Sequence, residues 1–138
     1  MNYLTLAKQM TKGSVAAKGN AAARALGLEI EVGHSENFLQ GGVVHLVALR
    51  TKRDLNIALH EIAHAVLGHS ENTVQNECEA DLFADAVMLE LYGDCYLLGR
   101  ITQATADYSG NLDVEALEAF ASEQGISINV REELENNF

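Results

Sequence analysis

One stretch, residues 57–67, constrains this chain more than any other. Every residue in it is apolar except for three polar side chains, which are His60, Glu61 and His64. A helix on the surface of a protein carries a broad polar face, whereas a helix that is apolar nearly all round is buried. We therefore predict a buried central helix that ends at Gly68. Buried polar groups need a partner, so three of them on one helix indicate a shared partner.

The three polar residues have the spacing H-E-x-x-H. Two histidines four residues apart lie one turn apart on the same face of a helix, so their imidazoles can bind a single zinc ion. The glutamate between them is placed to act as a general base on a water molecule at that ion. We therefore predict His60 and His64 as zinc ligands and Glu61 as the catalytic base.

A second helical pattern supplies acidic residues at helical spacing. Glu77 and Asp81 are four residues apart and share a face, whereas Glu79 points about 160° away from Glu77. We predict Glu77 as the third zinc ligand and Asp81 as the group that accepts the remaining ring N–H of a ligand histidine. Two histidines, a glutamate and a water molecule form the open type of zinc site that is used in catalysis.

These motifs, H-E-I-A-H-A-V-L-G-H at 60–69 and E-C-E-A-D-L-F-A at 77–84, resemble those of the gluzincin metallopeptidases. More narrowly, they are similar to the ImmA/IrrE family of small bacterial and phage zinc peptidases. The resemblance implies a zincin-like fold and a zinc-dependent endopeptidase that cleaves a cytosolic regulatory protein of the repressor type. It also implies a tyrosine or histidine that stabilises the oxyanion, and the sequence leaves four candidates: His45, Tyr92, Tyr96 and Tyr108. His45 can take this role only if it lies on the strand face towards the cleft; on the other face it is an exposed residue.

Two further segments predict a small sheet. Residues 28–32 alternate apolar and acidic side chains, and residues 43–49 are rich in β-branched ones, as is typical of strands. We expect them to pair as a hairpin or a small sheet on the H-E-x-x-H helix, with residues 33–42 as a polar loop that carries His34 at the surface. By resemblance, an edge strand would pair with substrate and the region 43–49 would help to line the cleft.

The fold class that follows is α+β: a mainly helical, zincin-like single domain, residues 1–138, with a small mixed or antiparallel sheet. Asp54 is predicted as the N-cap of the central helix, and Asn72 or Thr73 as the cap of the second motif helix, which ends at Gly93. The other predicted elements are helices at 3–10, 14–26, 94–108 and 111–124, and a strand or extended connection at 126–130.

The composition limits the classes of molecule that the chain is expected to bind. A formal net charge of −11 at pH 7 argues against direct binding of nucleic acid or of an anionic membrane surface, since phosphate binding needs clustered lysine and arginine. The first residues do not have the pattern of a signal peptide, and no apolar run reaches the length of a membrane span. The two cysteines, Cys78 and Cys95, form no disulfide framework. We expect a cytoplasmic protein that acts on a protein or peptide, in an oligomeric state that the sequence leaves open.

Three alternatives stay open at this point. The chain could be a zinc-binding but non-proteolytic regulatory or protein-interaction module of a phage or mobile element. It could hydrolyse a non-peptide substrate with the same ligands, or the histidines could be a buried pair without a metal. His69, just past Gly68, is predicted to lie on the side of the helix away from His60 unless the chain turns sharply there.

Overall fold

The computed structural model describes residues 1–93 and 112–132 of the 138-residue chain. This part is mainly helical with one small sheet, as predicted, whereas the helix predicted at 94–108 lies outside it. None of its helices is both long and apolar enough to cross a membrane. In chain order its elements are α1 (Tyr3–Gln9), α2 (Val15–Ala25), β1 (Glu29–Val32), β2 (Phe38–Gln40), β3 (Val43–Leu46), α3 (Lys52–Val66), α4 (Val74–Tyr92) and α5 (Val114–Gln124).

Helix α3 carries the H-E-x-x-H motif and begins earlier than its apolar pattern indicates. The Oγ1 atom of Thr51 accepts a hydrogen bond from the backbone N–H of Asp54 at 3.1 Å, and the Asp54 carboxylate accepts one from the backbone N–H of Thr51 at 3.0 Å. The prediction of Asp54 as N-cap is therefore wrong: Thr51 is the cap, and Asp54 closes a capping box from the third helical position. Backbone N–H groups of Arg50 and Thr51 lower the pKa of Asp54.

Helix α4 matches its prediction closely. Thr73 is its N-cap and Gly93 ends it in the left-handed conformation, at φ 73°. Its residues from 80 to 88 are all buried, including Asp81 and Asp85. The largest of these side chains is Phe83, which lies in the main core. Leu6 of α1 and Met10, the C-cap of α1, belong to the same core, as do the inward-facing apolar residues of α3.

The sheet has the strand order β1-β3-β2. The two predicted strands do pair, but β1 and β3 run parallel, which excludes a hairpin between them. The hairpin joins β2 to β3 instead, through Gly41 and Gly42, whose φ angles of 62° and 75° suit a two-residue type I′ turn. Strand β2 lies within the segment predicted as a loop. Of the predicted segment 126–130, residues 126–129 have no regular secondary structure and form no strand, and residue 130 begins a short helical turn.

The sheet packs on α3 through one face only. Val44 and Leu46 of β3 are fully buried in the same core as Leu55 and Leu59 of α3. Side chains alternate between the two faces of a strand, so His45, between those two residues, lies on the face turned away from α3. Strand β3 is also the central strand, so its backbone pairs on both sides and is not a free edge.

Candidate metal centre

The predicted ligand atoms of α3 and α4 converge at one place. Nε2 of His60 lies 3.2 Å from Nε2 of His64 and 2.8 Å from one carboxylate oxygen of Glu77. The other oxygen of Glu77 lies 3.2 Å from Nε2 of His64. His60 and His64 are one turn apart on α3, and Glu77 comes from the first turn of α4, so the packing of the two helices builds the site.

These separations fit a metal ion. Ligand atoms at about 2.0–2.1 Å from a tetrahedral zinc ion lie about 3.3 Å from one another. The three separations here fall within roughly half an ångström of that value. The three side chains can therefore hold a metal ion through two imidazole nitrogens and a carboxylate oxygen.

Asp81 fixes the proton position of the first ligand histidine. Its carboxylate lies 2.5 Å from Nδ1 of His60, and both side chains are buried. A carboxylate only accepts, so Nδ1 of His60 carries a proton and Nε2 is the ring nitrogen that faces the site. The structure thus brings Asp81 to the position that the sequence predicts for it.

The charge of Glu77 also suits a ligand. Burial opposes ionisation of its carboxyl group, but contacts with the imidazoles of His60 and His64 outweigh burial and hold the pKa of Glu77 well below its usual range. Glu77 is therefore an anion at neutral pH, which is the form in which a carboxylate binds a metal ion.

The second ligand histidine has a support that the sequence analysis missed. At Gly68, with φ 70°, the chain leaves α3 in the left-handed conformation, and the backbone N–H of His69 then donates to the carbonyl of His64 at 2.9 Å. The turn places Nδ1 of His69 3.0 Å from Nδ1 of His64. His69 therefore contacts the side of His64 away from the metal position, rather than joining the ligands.

Glu79 completes this support. Its carboxylate accepts from Nε2–H of His69 at 3.1 Å. In the tautomer of His69 that carries its single proton on Nε2, Nδ1 accepts from Nδ1–H of His64, so Nε2 of His64 is the atom that faces the site. Asp81 and the His69–Glu79 pair therefore orient the two ligand histidines in the same way. The sharp turn that a glycine allows at 68 was the only signal for this in the sequence.

We expect His69→Ala to weaken zinc binding at this centre by about 10–100-fold, because loss of a group that orients a ligand histidine typically has that effect. The measurement is competition for zinc between the protein and a chelator of known affinity. Ser70→Ala, at the exposed neighbouring position, is the control and should leave the affinity unchanged. Equal zinc affinity in the His69→Ala variant and the wild type would contradict this role.

The base predicted from the motif lies at the open side of α3. Glu61 is half-buried, whereas Ile62 and Ala63 next to it are fully buried. Glu61, the partly exposed His64 and the exposed Ala65 form a strip of α3 that solvent reaches. Glu61 is therefore within one helical turn of both histidine ligands and on the accessible side of the helix.

A further buried polar pair, which was not predicted, lies on the faces of α3 and α4 that carry His60 and Asp81. Asn56 lies one turn before His60 on α3, and Asp85 one turn after Asp81 on α4; both are fully buried. The Asn56 amide donates to Asp85 at 3.3 Å. The sequence did contain a signal for this pair, because Asn56 precedes His60 by four residues and Asp85 follows Asp81 by four residues. The pair fixes α3 antiparallel to α4, with His60 opposite Asp81.

The structure does not bring the described oxyanion candidates to the centre. His45 lies on the outer face of the sheet, stacked on Phe38 with 4.3 Å between ring centroids. Tyr92 lies at the far end of α4 from Glu77, about 22 Å along the helix axis, where it contacts the side chain of Lys52 at the start of α3. Tyr96 and Tyr108 lie outside the described residues.

Cys78 is not a ligand in this arrangement. It is fully buried in the core on the side of α4 that meets α5. Burial, together with the nearby Asp81 and Glu77 carboxylates, raises the pKa of its thiol to about 12. Cys78 therefore stays protonated at neutral pH and acts as a small apolar residue.

Comparisons of the chain with protein-family models, with curated proteins and with solved structures each gave no match.

Proposed function

We propose that this protein is a zinc-dependent endopeptidase of a zincin-like type, similar to the ImmA/IrrE peptidases. One observation carries the proposal: two histidines of an H-E-x-x-H helix and a glutamate of the next helix direct their ligand atoms to one point, and Glu61 lies beside them. Three protein ligands leave a coordination position for water, which distinguishes a catalytic site from a closed structural one.

Zinc is the metal that this ligand set favours. Imidazole nitrogen suits zinc, copper, iron and nickel, whereas magnesium and calcium prefer sites built of oxygen alone. When bound, the ion supplies Lewis-acid chemistry, acidifying water and polarising a carbonyl group.

The residues of the chain supply the remaining steps. Glu61 accepts a proton from the attacking water molecule and returns it to the leaving amine. Asp81 keeps a proton of His60 on Nδ1, and His69 with Glu79 does the same for His64, so Nε2 of each imidazole is oriented towards the site. The group that stabilises the oxyanion is not among His45 and Tyr92, because both lie away from the centre.

Strand β2 is the proposed docking edge for an extended substrate. It lies against α3 and, in the described part of the chain, pairs only with β3. An extended peptide can add to such an edge through main-chain hydrogen bonds, which suits a protein substrate of varied sequence. A regulatory protein of the cytoplasm is the substrate that the family resemblance suggests.

The experiment that tests this proposal uses a mixture of peptides prepared from a proteome. The protein is stripped with a chelator, reloaded with zinc and incubated with the mixture, and mass spectrometry detects new peptide ends. We expect new internal cleavages with the zinc-loaded protein and none with the stripped protein. Zinc binding without any cleavage, of these peptides or of a folded repressor-type protein, would contradict the proposal and favour the non-proteolytic binding module.

A further inference from the structure

A second group of potential ligands lies on the outer face of the sheet. Nε2 of His34 is 3.4 Å from a carboxylate oxygen of Glu31 and 3.1 Å from Nδ1 of His45. One ligand atom from each of the three residues lies within 4.8 Å of the others. None of these residues belongs to the centre between α3 and α4.

We propose that Glu31, His34 and His45 form a second metal site, which takes a divalent transition-metal ion such as zinc. The donors are again two imidazole nitrogens and a carboxylate, the set that zinc accepts. The separations of 3.4 Å and 3.1 Å bracket the distance of about 3.3 Å expected between ligand atoms of a tetrahedral zinc ion. The site needs little rearrangement to bind the ion.

The backbone of the sheet holds the three residues in place. Glu31 and His45 are direct partners in the parallel pair of β1 and β3, so their side chains emerge next to each other on one face. At the end of β1, Gly33 turns the chain with φ 103°, and the backbone N–H groups of Gly33 and His34 both donate to the carbonyl of Leu46. This turn directs His34 back towards His45.

Aromatic packing orients the imidazole of His45. Phe38 is its cross-strand partner in β2, and the two rings stack with an angle of 17° between their planes. The ring of His34 meets that of His45 edge-on, at 89°. Stacking against Phe38 therefore limits rotation of His45 and keeps Nδ1 directed at His34.

The accessibility of the group suits an ion that binds from solution. Glu31 is exposed, and both histidines are partly exposed. The site joins β1, the turn after it and β3, with β2 at its side through Phe38. A bound ion would cross-link these segments, so this site stabilises the sheet and takes no part in hydrolysis at α3.

The test counts zinc ions per chain. Protein stripped of metal is equilibrated with zinc by dialysis, and bound zinc is measured by mass spectrometry of the metal. We expect two ions per wild-type chain, one in the His34→Ala/His45→Ala variant, and one in the His60→Ala/His64→Ala variant. Glu29→Gln, which removes a carboxylate from the same face of β1 but none of the three proposed ligands, is the control and should retain two.

No ion in the His60→Ala/His64→Ala variant, or as many ions in the His34→Ala/His45→Ala variant as in the wild type, would overturn the proposal. A second measurement guards against a variant that fails to fold. In the wild-type protein, zinc should shift the imidazole NMR signals of His34 and His45 and raise the temperature of unfolding further after the first site is filled. Unshifted signals for both residues would also overturn it. These readouts do not involve hydrolysis, so the result is independent of the proposed peptidase activity.

Discussion

Replacing Glu61 by Gln is expected to reduce peptide hydrolysis by about 10²–10⁴-fold, the usual contribution of a general acid–base group. The amide has nearly the shape of the carboxylate but cannot accept a proton from water at neutral pH. Glu61 lies on the open side of α3 and is not one of the three converging ligands, so zinc binding should be unchanged. The measurement is the rate of cleavage of a peptide identified from the mixture, beside the zinc affinity of the same preparation.

Glu71→Gln is the matched control for this experiment. Glu71 is exposed in the link between α3 and α4, so its replacement removes the same charge a short distance away. We expect the control to cleave the peptide at the wild-type rate. Full hydrolysis by the Glu61→Gln protein would exclude Glu61 as the base, and with it the mechanism derived from the motif.

Replacing Phe83 by Ala is expected to lower the free energy of unfolding by about 3–5 kcal/mol, the usual cost of removing a fully buried phenyl ring. Phe83 is fully buried in the core between α4, α1 and α3. Folded domains are stable by only about 5–15 kcal/mol, so this variant should be partly unfolded under mild conditions. Since the metal centre is built by the packing of α3 on α4, it should be lost in the same transition.

Chemical denaturation of the two proteins, stripped of metal, measures this difference. Phe120→Ala in α5 is the control, because that ring is only partly buried and packs at the edge of the smaller core. We expect its cost to be clearly smaller. A Phe83→Ala variant no less stable than the Phe120→Ala variant would contradict the position of Phe83 at the centre of the fold.

The sequence predicted the two helices of the metal centre well because their signals are local. The apolar residues around His60 and His64, and the spacing of Glu77 and Asp81, depend only on the 3.6-residue turn of a helix. The structure brings these four residues together, with side-chain nitrogen and oxygen atoms of neighbouring residues 2.5–3.2 Å apart. The signal for the end of α4 at Gly93 was equally local, since helices commonly end at a glycine in the left-handed conformation.

The features that were missed depend on contacts between distant parts of the chain. The contact of His69 with His64 depends on a turn at Gly68. That turn is lost when the position of His69 is predicted by continuing the helix past Gly68. Strand β2 is only three residues long, and Phe38 and Leu39 become a strand because β3 offers a partner. Whether β1 and β3 run parallel or antiparallel is set by how the chain crosses between them, which their own residue patterns do not encode.

The group of Glu31, His34 and His45 was also missed because it depends on contacts between separate parts of the chain. These residues are separated by a turn and a whole strand, and each alone reads as a surface residue. Only the register that pairs Glu31 with His45 reveals that they share a face. The interpretation of His45 as an oxyanion stabiliser depended on the opposite face, and burial of Val44 and Leu46 decided between the two.

Zinc stoichiometry of Glu77→Ala and Glu79→Ala variants shows whether α3 and α4 together hold the ion. The measurement is made in the His34→Ala/His45→Ala background, so that only the centre between the helices is counted. Glu77→Ala should bind no zinc, whereas Glu79→Ala, which removes only the support of His69, should still bind one ion at saturation. Equal zinc content in the two variants would show that Glu77 is not a ligand and would contradict the account.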